Sequence, residues 1–584
     1  MEERRAPFWL NRLPGPVLGA AAGCFLAGFF AHVFAFTNII PNADGVSRVY
    51  DAQQMTISGR WFLHYASAWN GYVQSPAVIG FFSLLFLSLA AALTVSVLRI
   101  RRVGIACLCG ALMSVFPSVA YTFLYLFTAS AYCFGILLAV LSVWLVSRYR
   151  YGFLFAAPVL ACAVGTYQAY LAVAASLCLI CLLLYALEAG RSGGEIFRRG
   201  LRYLAFLVLG LGLYALILGL FLKAKDLTLL DYKGISTLGG QGFEELLHSV
   251  ASAYWNFLRY FFVPHSFANY TTPAAVLGNG VLALTALWAF ARLVRRGGCC
   301  KRPGAFVLTL AICVLLPLAL NLTVLMGEAM PIMRYALGLT YVLALALMDR
   351  ALAPAAEAVP KTADEGAPTA SAPDETALEL PAEGEPEQTV PESVEGEAAQ
   401  PAPEPEREEK PRRQFLKSWM RGFACGAAAL LLIVSFQIDN LAYTVSAQAH
   451  RATESFATRL VERVESTPGY QNGMWVVIIG GFPSAVYHND IEVFSLVDDY
   501  SDHSTSVVPM NKHIYYYLND WLNVPWQDPG EKTLQAVSDS ALFQSMPLYP
   551  DDGSIVIAGG MVIVKLAPKY TPKKAYEIAY ENRR

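Results

Sequence analysis

Residues 77–98, "AVIGFFSLLFLSLAAALTVSVL", contain no charged side chain, and stretches of this kind recur along the chain. About 20 apolar residues suffice for a helix to cross the hydrocarbon core of a bilayer. Eleven spans can be drawn, at 15–38, 77–98, 103–121, 126–147, 151–165, 168–187, 203–223, 274–294, 305–326, 335–352 and 422–439. The fifth and sixth share one apolar stretch and meet in a tight hairpin at "GTYQAY", 165–170. With 55% of its 584 residues hydrophobic and only 15% charged, the chain has more apolar surface than a soluble domain can hide. The first run is long enough to span, and no small-residue cleavage site follows a short core. The expectation is a retained anchor rather than a cleaved signal peptide.

The formal net charge of −2 conceals a strong segregation. "RIRR" at 99–102, "SRYR" at 147–150, "RRGLR" at 198–202, "RLVRRGGCCKR" at 292–302 and "KPRRQFLKSWMR" at 410–421 fall on one side if the N-terminus is inside. The excess of basic residues in cytoplasmic loops makes that side the cytoplasm and puts the C-terminus outside. Reading the 165–170 hairpin as part of a single span would set the basic loops against one another. Of the eleven cysteines, nine fall inside spans, Cys299 and Cys300 sit in a basic loop, and none follows Cys425. The outer C-terminal region therefore needs no disulfide, and Cys299–Cys300 lacks the second half of a zinc site.

Between the tenth and eleventh spans, residues 353–412 are rich in Pro, Ala and Glu with almost no aromatics. Such a composition cannot bury enough surface to fold and predicts a disordered acidic cytoplasmic linker. Three outer segments remain. Residues 39–76 form the first. The second, 224–273, contains Leu246, Leu247, Val250, Tyr254, Phe257 and Phe261 at helical spacing, as in a helix lying in the interface. The third, 440–584, opens with an amphipathic helix, "AQAHRATESFATRLVERVES". The strand "MWVVIIGG" follows, and the strand pair "SIVIAGGMVIVKL" comes near its end, so an α/β domain is expected. The predicted fold is mainly α: a polytopic membrane protein of about 11 transmembrane helices with a C-terminal extracytoplasmic α/β domain. Its divisions are a membrane core at 1–352, the linker at 353–412, the last membrane helix at 413–439 and the outer domain at 440–584.

The first outer loop carries Asp44, Arg48, Asp51 and Arg60 close to the membrane surface. Aqueous loops normally carry charge, and for Asp51 solvation is the preferred reading. Asp44 lies only a few residues past the first span, and Arg48, one helical turn on, can hold its carboxylate. An acid and an arginine at the lipid–water boundary suit group transfer from a lipid phosphate. The acid accepts a proton from an attacking hydroxyl, and the arginine stabilises the departing phosphate. Anchoring a helix is the alternative role for such charges.

Other polar residues are candidates for the same site. "LMGEAMPIMRY" puts Glu328 and Arg334 in a short outer turn, where the positive-inside rule does not favour a basic residue. Arg334 is read as a phosphate contact or as a snorkelling side chain. Tyr167 and Gln168, at the hairpin apex, can hydrogen-bond a sugar or satisfy the backbone of the turn. His265 and Asn269 in "VPHSFANYTT" are a carbohydrate subsite or an ordinary re-entry segment. "DDYSDH", 498–503, lacks a recognised metal-loop spacing and reads as a solvated turn. No P-loop, dinucleotide fingerprint or zinc-protease helix motif is present. A nucleotide-sugar cannot reach an outward-facing site, so a sugar donor should arrive already on a lipid.

The first span, the acidic loop, the arginine a turn later, "SGRW", "GTYQAYLAVA" and "YWNFLRYFF" resemble, in that order, the type II glucosyltransferase family of bacteria and their phages. The resemblance covers about residues 20–350. It implies a GT-C-like membrane glycosyltransferase whose site faces away from the cytoplasm. Such an enzyme moves a hexose, glucose above all, from a polyprenyl-phosphate donor to an acceptor glycan of the cell envelope. On that reading Asp44 is the general base, and Arg48, Arg60 and Arg334 bind the donor phosphate. Tyr167, Gln168, Glu328 and His265 contact substrate. The resemblance also implies a multi-pass protein of the bacterial cytoplasmic membrane, with the bilayer and no nucleic acid as partner. No cofactor is expected, and a divalent cation is left open. The family pattern shows two adjacent acids in the first outer loop, whereas here Gly45 follows Asp44. Asp44 then acts alone or shares the work with Glu328 or Asp51. A non-catalytic transporter or flippase, or an assembly protein for lipid-linked envelope sugars, is the alternative. A transporter needs charges deep within its spans, and few occur between Arg12 and the loop after the tenth.

Overall fold

The computed structural model describes residues 14–41, 45–46, 50–229, 243–264, 272–325, 330–353, 411–482, 508 and 511–571. The helices are α1 Gly15–Thr37, α2 Leu63–Ala66, α3 Pro76–Leu98, α4 Val103–Ser114, α5 Pro117–Leu124 and α6 Leu126–Arg148. They continue with α7 Gly152–Thr166, α8 Tyr170–Ala186, α9 Gly193–Ala224, α10 Phe243–Phe262, α11 Pro273–Gly297 and α12 Pro303–Leu320. After the short α13 Leu322–Leu325 come α14 Leu339–Leu352, α15 Pro411–Glu465, α16 Asn511–Leu522, α17 Glu531–Ser538 and α18 Ala541–Ser545.

Among the described residues nine helices are long and apolar enough to cross a membrane. Two shorter apolar helices, α7 and α8, flank the hairpin turn. Their 15 and 17 residues span about 22 and 25 Å at the helical rise, just under the thickness of a bilayer core. The chain is a mainly helical, multi-pass membrane protein. The third predicted span is a broken helix: α4 ends at Ser114 and α5 restarts at Pro117, whose ring cannot continue the preceding helix. Helices α1 and α4 pack very closely, because a Cβ on Gly110 would collide with the Ala20 carbonyl oxygen.

The basic loops meet at one end of the bundle. The Asp349 carboxylate, on the last turn of α14, accepts from the backbone N–H of Arg101 at 2.9 Å and of Arg102 at 3.3 Å. It also pairs with Arg102 Nη1 at 3.0 Å. Arg292 and Arg296 donate to the carbonyls of Ala351 and Ala353, and Arg350 to those of Leu184 and Leu98. Asp349 is only 1% exposed, and removing its carboxylate takes the acceptor from the Arg101 and Arg102 backbone N–H groups and from the half-buried Arg102 guanidinium. Asp349→Ala is expected to destabilise the bundle by about 1–2 kcal/mol, since water can reach the Arg102 side, read as an earlier thermal unfolding midpoint in detergent.

The last span and the amphipathic segment after it form one helix of 55 residues, α15, and so the expected boundary at 440 falls inside a helix. Neither Gly nor Pro occurs between Ala427 and Thr467 to stop it. At 1.5 Å per residue it is about 80 Å long, far more than the ~30 Å of hydrocarbon, so one end must project into water. Ala457, Leu460 and Val464 near its C-terminal end pack on a three-stranded sheet. The strands are β1 Trp475–Ile479, β2 Ile555–Ala558 and β3 Met561–Lys565, in the order β1–β3–β2. β1 runs parallel to β3, with Trp475 opposite Met561, and β2 runs antiparallel to β3, with Ile555 opposite Val564. Alternation along the strands divides the core. Val476, Ile478, Val562 and Val564 face α15 and α16, while Val477, Ile479 and Ile563 face α17 and α18. The strands are those read from the sequence. The linker at 353–412 lies outside the described residues except for Ala353 and the start of α15.

Candidate active site

The turn that carries "SGRW" is built on a single bridge between Met55 and Arg60. Gly59 closes it at φ +79, a conformation that other residues rarely adopt, with its N–H donating to Thr56 O at 2.9 Å. The apex of the α7–α8 hairpin holds this turn. Gln168 Nε2 donates to Ser58 O at 2.8 Å and to the Tyr214 hydroxyl at 3.3 Å, and that hydroxyl donates to Gly59 O at 3.1 Å. The Phe62 N–H reaches Gly165 O at 2.9 Å. Trp61, 6% exposed, lies over Gly165 and stacks on Phe221 of α9. The sequence signal "GTYQAY" thus has a concrete use in the structure: its glutamine binds the backbone of the loop after α1.

Arg60 projects from that turn into an aromatic wall. Its Nη1 donates to the Tyr132 hydroxyl at 3.1 Å, and its guanidinium carbon sits 5.0 Å from the centroid of Tyr167. Tyr132 and Tyr167 stack with centroids 4.7 Å apart, and Tyr167 is 4% exposed. The neighbouring Tyr170 ring meets those of Tyr132 and Tyr167 edge-on, with centroids 6.2 and 5.6 Å apart, and the buried Tyr335, adjacent to Arg334 in sequence, donates its hydroxyl to Met113 O at 3.3 Å. Sequence reading gives no reason to single out Tyr132, Tyr214 or Tyr335, because aromatic residues inside an apolar helix look like core.

Arg334 closes the 3₁₀ turn Pro331–Met333 and is 9% exposed. The Arg334 guanidinium and the Asp439 carboxyl both lie near the hydroxyl of Tyr260 in α10. Asp439 is absent from the residues singled out by sequence, where it falls at the end of the eleventh span and looks like a boundary residue. It is wholly buried, and neither carboxylate oxygen has a hydrogen-bond partner among the described residues. Four residues on, the Tyr443 hydroxyl meets His32 Nδ1 at 2.7 Å, and His32 Nε2 meets Ser114 O at 2.8 Å. Because a carbonyl only accepts, Nε2 carries the proton and Tyr443 donates to Nδ1. An acid in "FQIDNLAY", at the end of the apolar run of the last span, is the signal that could have found it.

Asp44, Arg48, Glu328 and His265, together with Asn269 and the 498–503 acids, lie outside the described residues. What brackets Asp44 is described. Pro41 and Gly45 are buried, and Val46 is wholly buried in the core of the C-terminal sheet domain. Trp521 Nε1 of α16 donates to Val46 O at 2.9 Å. The sheet domain therefore grips the loop after α1 two residues from Asp44. Asp51 accepts from its own loop, the Gln53 N–H at 2.8 Å, and so shapes a turn. Among the described residues no three His, Cys, Asp or Glu stand together in a way that could hold a cation.

The loop after α1, the hairpin apex, α9, α10 and the Arg334 turn all fall within one continuous stretch of sequence. A family model, glucosyl transferase GtrII, matches residues 33–348, more than half of the chain. The chain belongs to the glucosyl transferase GtrII family. No match was found among curated proteins or solved structures. The match makes the molecule a membrane glycosyltransferase with a sugar donor and an acceptor as substrates. The GtrII region contains Arg60, Tyr167, Gln168 and Arg334, whereas Asp439 and the sheet domain lie beyond it.

Proposed function

We propose that this GtrII-family glucosyltransferase moves a hexose, glucose by preference, from a polyprenyl phosphate to a cell-envelope glycan outside the bacterial cytoplasmic membrane. The observation that carries this reading is the placement of Arg60. A cation is held against Tyr132 and Tyr167 on a turn that the hairpin apex fixes, in the loop that follows the first membrane helix. A fixed guanidinium at the membrane boundary stabilises phosphate charge as the glycosidic bond breaks. Arg48 and Arg334 join it on the donor phosphate, and Glu328 and His265 contact the sugars. Asp44 takes the proton from the acceptor hydroxyl. Direct displacement at the anomeric carbon then inverts it, leaving the polyprenyl phosphate behind.

Tyr167 and Gln168 act here through other groups. Tyr167 supports the Arg60 guanidinium, and Gln168 holds the backbone of residues 58–59. The N-terminus lies in the cytoplasm and the sheet domain outside, where its hold on Val46 couples acceptor binding to the Asp44 loop. The test uses purified protein in liposomes with radiolabelled glucose on polyprenyl phosphate, or on a nucleotide, and envelope glycans as acceptors. Label should pass to the glycan from the lipid donor alone. Transfer from the nucleotide donor alone, or from neither, would sink the reading.

A further inference from the structure

Helices α11 and α12 are joined by a short basic turn yet separate as they leave it. α11 packs on α14 and α15, while α12 packs on α8 and α9. Between them opens a cavity of about 580 Å³ whose walls are almost wholly apolar. Leu287, Phe290 and Val294 of α11 face Phe306, Leu310 and Leu316 of α12 across it. From Asn279 to Val294 the groove follows about 22 Å of α11, most of the thickness of a bilayer core. Ala283 and Ala286 of α11 line it with small side chains and keep it open. Phe257, Phe261 and Phe262 of α10 lie at its Asn279 end.

That end is polar. Asn279 is 6% exposed, and its Nδ2 donates to Phe261 O at 2.8 Å, but its Oδ1 has no partner among the described residues. The Thr340 hydroxyl, also at the groove, is buried and unpartnered among the described residues too. Buried polar atoms left unsatisfied are uncommon and point to a group that arrives from elsewhere. Asn279 and Tyr341 also line a second, small chamber with Tyr260, Ser435 and Ile438. Asn279 and Tyr341 thus stand between the groove and Tyr260, near which lie Arg334 and Asp439, the latter next to Ile438 in sequence. An apolar groove of nearly membrane depth that ends at buried polar groups, with the Arg334 guanidinium beyond them, fits an amphiphile with a long hydrocarbon chain and a phosphate head.

We propose that the groove between α11, α12 and α14 seats the isoprenoid chain of the lipid-linked sugar donor, delivering its phosphate past Asn279 and Tyr341 toward Tyr260 and Arg334. This rests on the lipid-donor reading above. It adds a site for the chain itself and makes chain length a determinant of donor affinity. A tryptophan at Ala283 or Ala286 fills the groove and shortens the apolar contact available to the chain.

Ala286→Trp is tested against a long-chain polyprenyl phosphate glucose and its geranyl analogue, with Leu277→Trp, on the exposed face of α11, as control. The KM for the long donor should rise about tenfold relative to that for the geranyl donor, with neither changed by Leu277→Trp. An unchanged ratio of the two KM values would overturn the groove site while leaving the donor reading intact. Wild-type protein that uses neither lipid donor would remove the donor reading itself. A diazirine-bearing prenyl phosphate on the wild-type protein tests the site without any substitution. Labelled peptides should come from α11, α12 and α14, and unlabelled polyprenyl phosphate should displace the probe where bilayer phospholipid does not. Labelling confined to other helices, or displacement by phospholipid alone, would show an ordinary lipid contact and overturn the proposal.

Discussion

Asp44→Asn is expected to lower hexose transfer by about 10²–10⁴-fold while the lipid-linked donor still binds. Asparagine keeps the size and the hydrogen-bonding reach of aspartate and loses only the ability to take a proton at neutral pH. A residue that merely solvated the loop would tolerate the exchange. The neighbouring chain is firmly anchored, since Pro41 and Gly45 are buried and Val46 sits in the sheet domain's core. A local unfolding explanation can therefore be checked by whether the thermal midpoint moves. The competing acids separate cleanly. Asp51 spends one oxygen on the Gln53 N–H, a bond that an asparagine side-chain carbonyl also accepts, so Asp51→Asn should retain transfer. If Asp44→Asn transfers as well as the wild type, the base lies elsewhere and Glu328→Gln is the next variant to measure.

Much of the fold is written in hydropathy alone, because a helix in lipid must satisfy its own backbone and display apolar side chains along its length. Most membrane helices begin and end within a few residues of the predicted spans, but α9 and α15 run on. Those two exceptions share a cause. Polar residues end an apolar run but do not end a helix. The basic stretch Arg198–Arg202 contains no proline, and its single glycine, Gly200, costs a helix only about 1 kcal/mol. "AQAHRATESF" contains neither Gly nor Pro. The site is less legible. Arg60 stands out as a charge in a loop, and Gln168 as a polar residue at a hairpin apex. That Gln168 binds the Gly59 turn, reaching across the chain to Ser58, depends on tertiary packing that spacing cannot reveal. Asp439 shows the converse. Its neighbours in sequence suggest an interfacial end of a span, and only the arrival of α10 and α1 around α15 makes the position fully buried.

Gly59→Val is expected to reduce transfer by about 10²-fold, the scale of a displacement of about 1 Å at a catalytic group. Two separate effects act on it. The φ of +79 places a β-branched residue in a region that costs on the order of 1–3 kcal/mol. A Cβ at this position would also collide with Gln168 Nε2 and stand 2.7 Å from the Tyr214 hydroxyl. Both groups would have to withdraw, and with them go the bonds to Ser58 O and Gly59 O that fix the turn. Arg60 is the next residue, so its guanidinium shifts against Tyr132 and Tyr167. The two effects can be separated with Gln168→Ala, which removes the closer clash but not the backbone strain. Gly59→Ala in that background should recover part of the transfer lost by Gly59→Ala alone. The loss should appear chiefly in kcat if Arg60 stabilises the departing phosphate, because that charge develops only as the bond breaks. A loss seen only as a lower unfolding temperature, with kcat intact in the folded fraction, would make the turn a structural clasp and take Arg60 out of the chemistry.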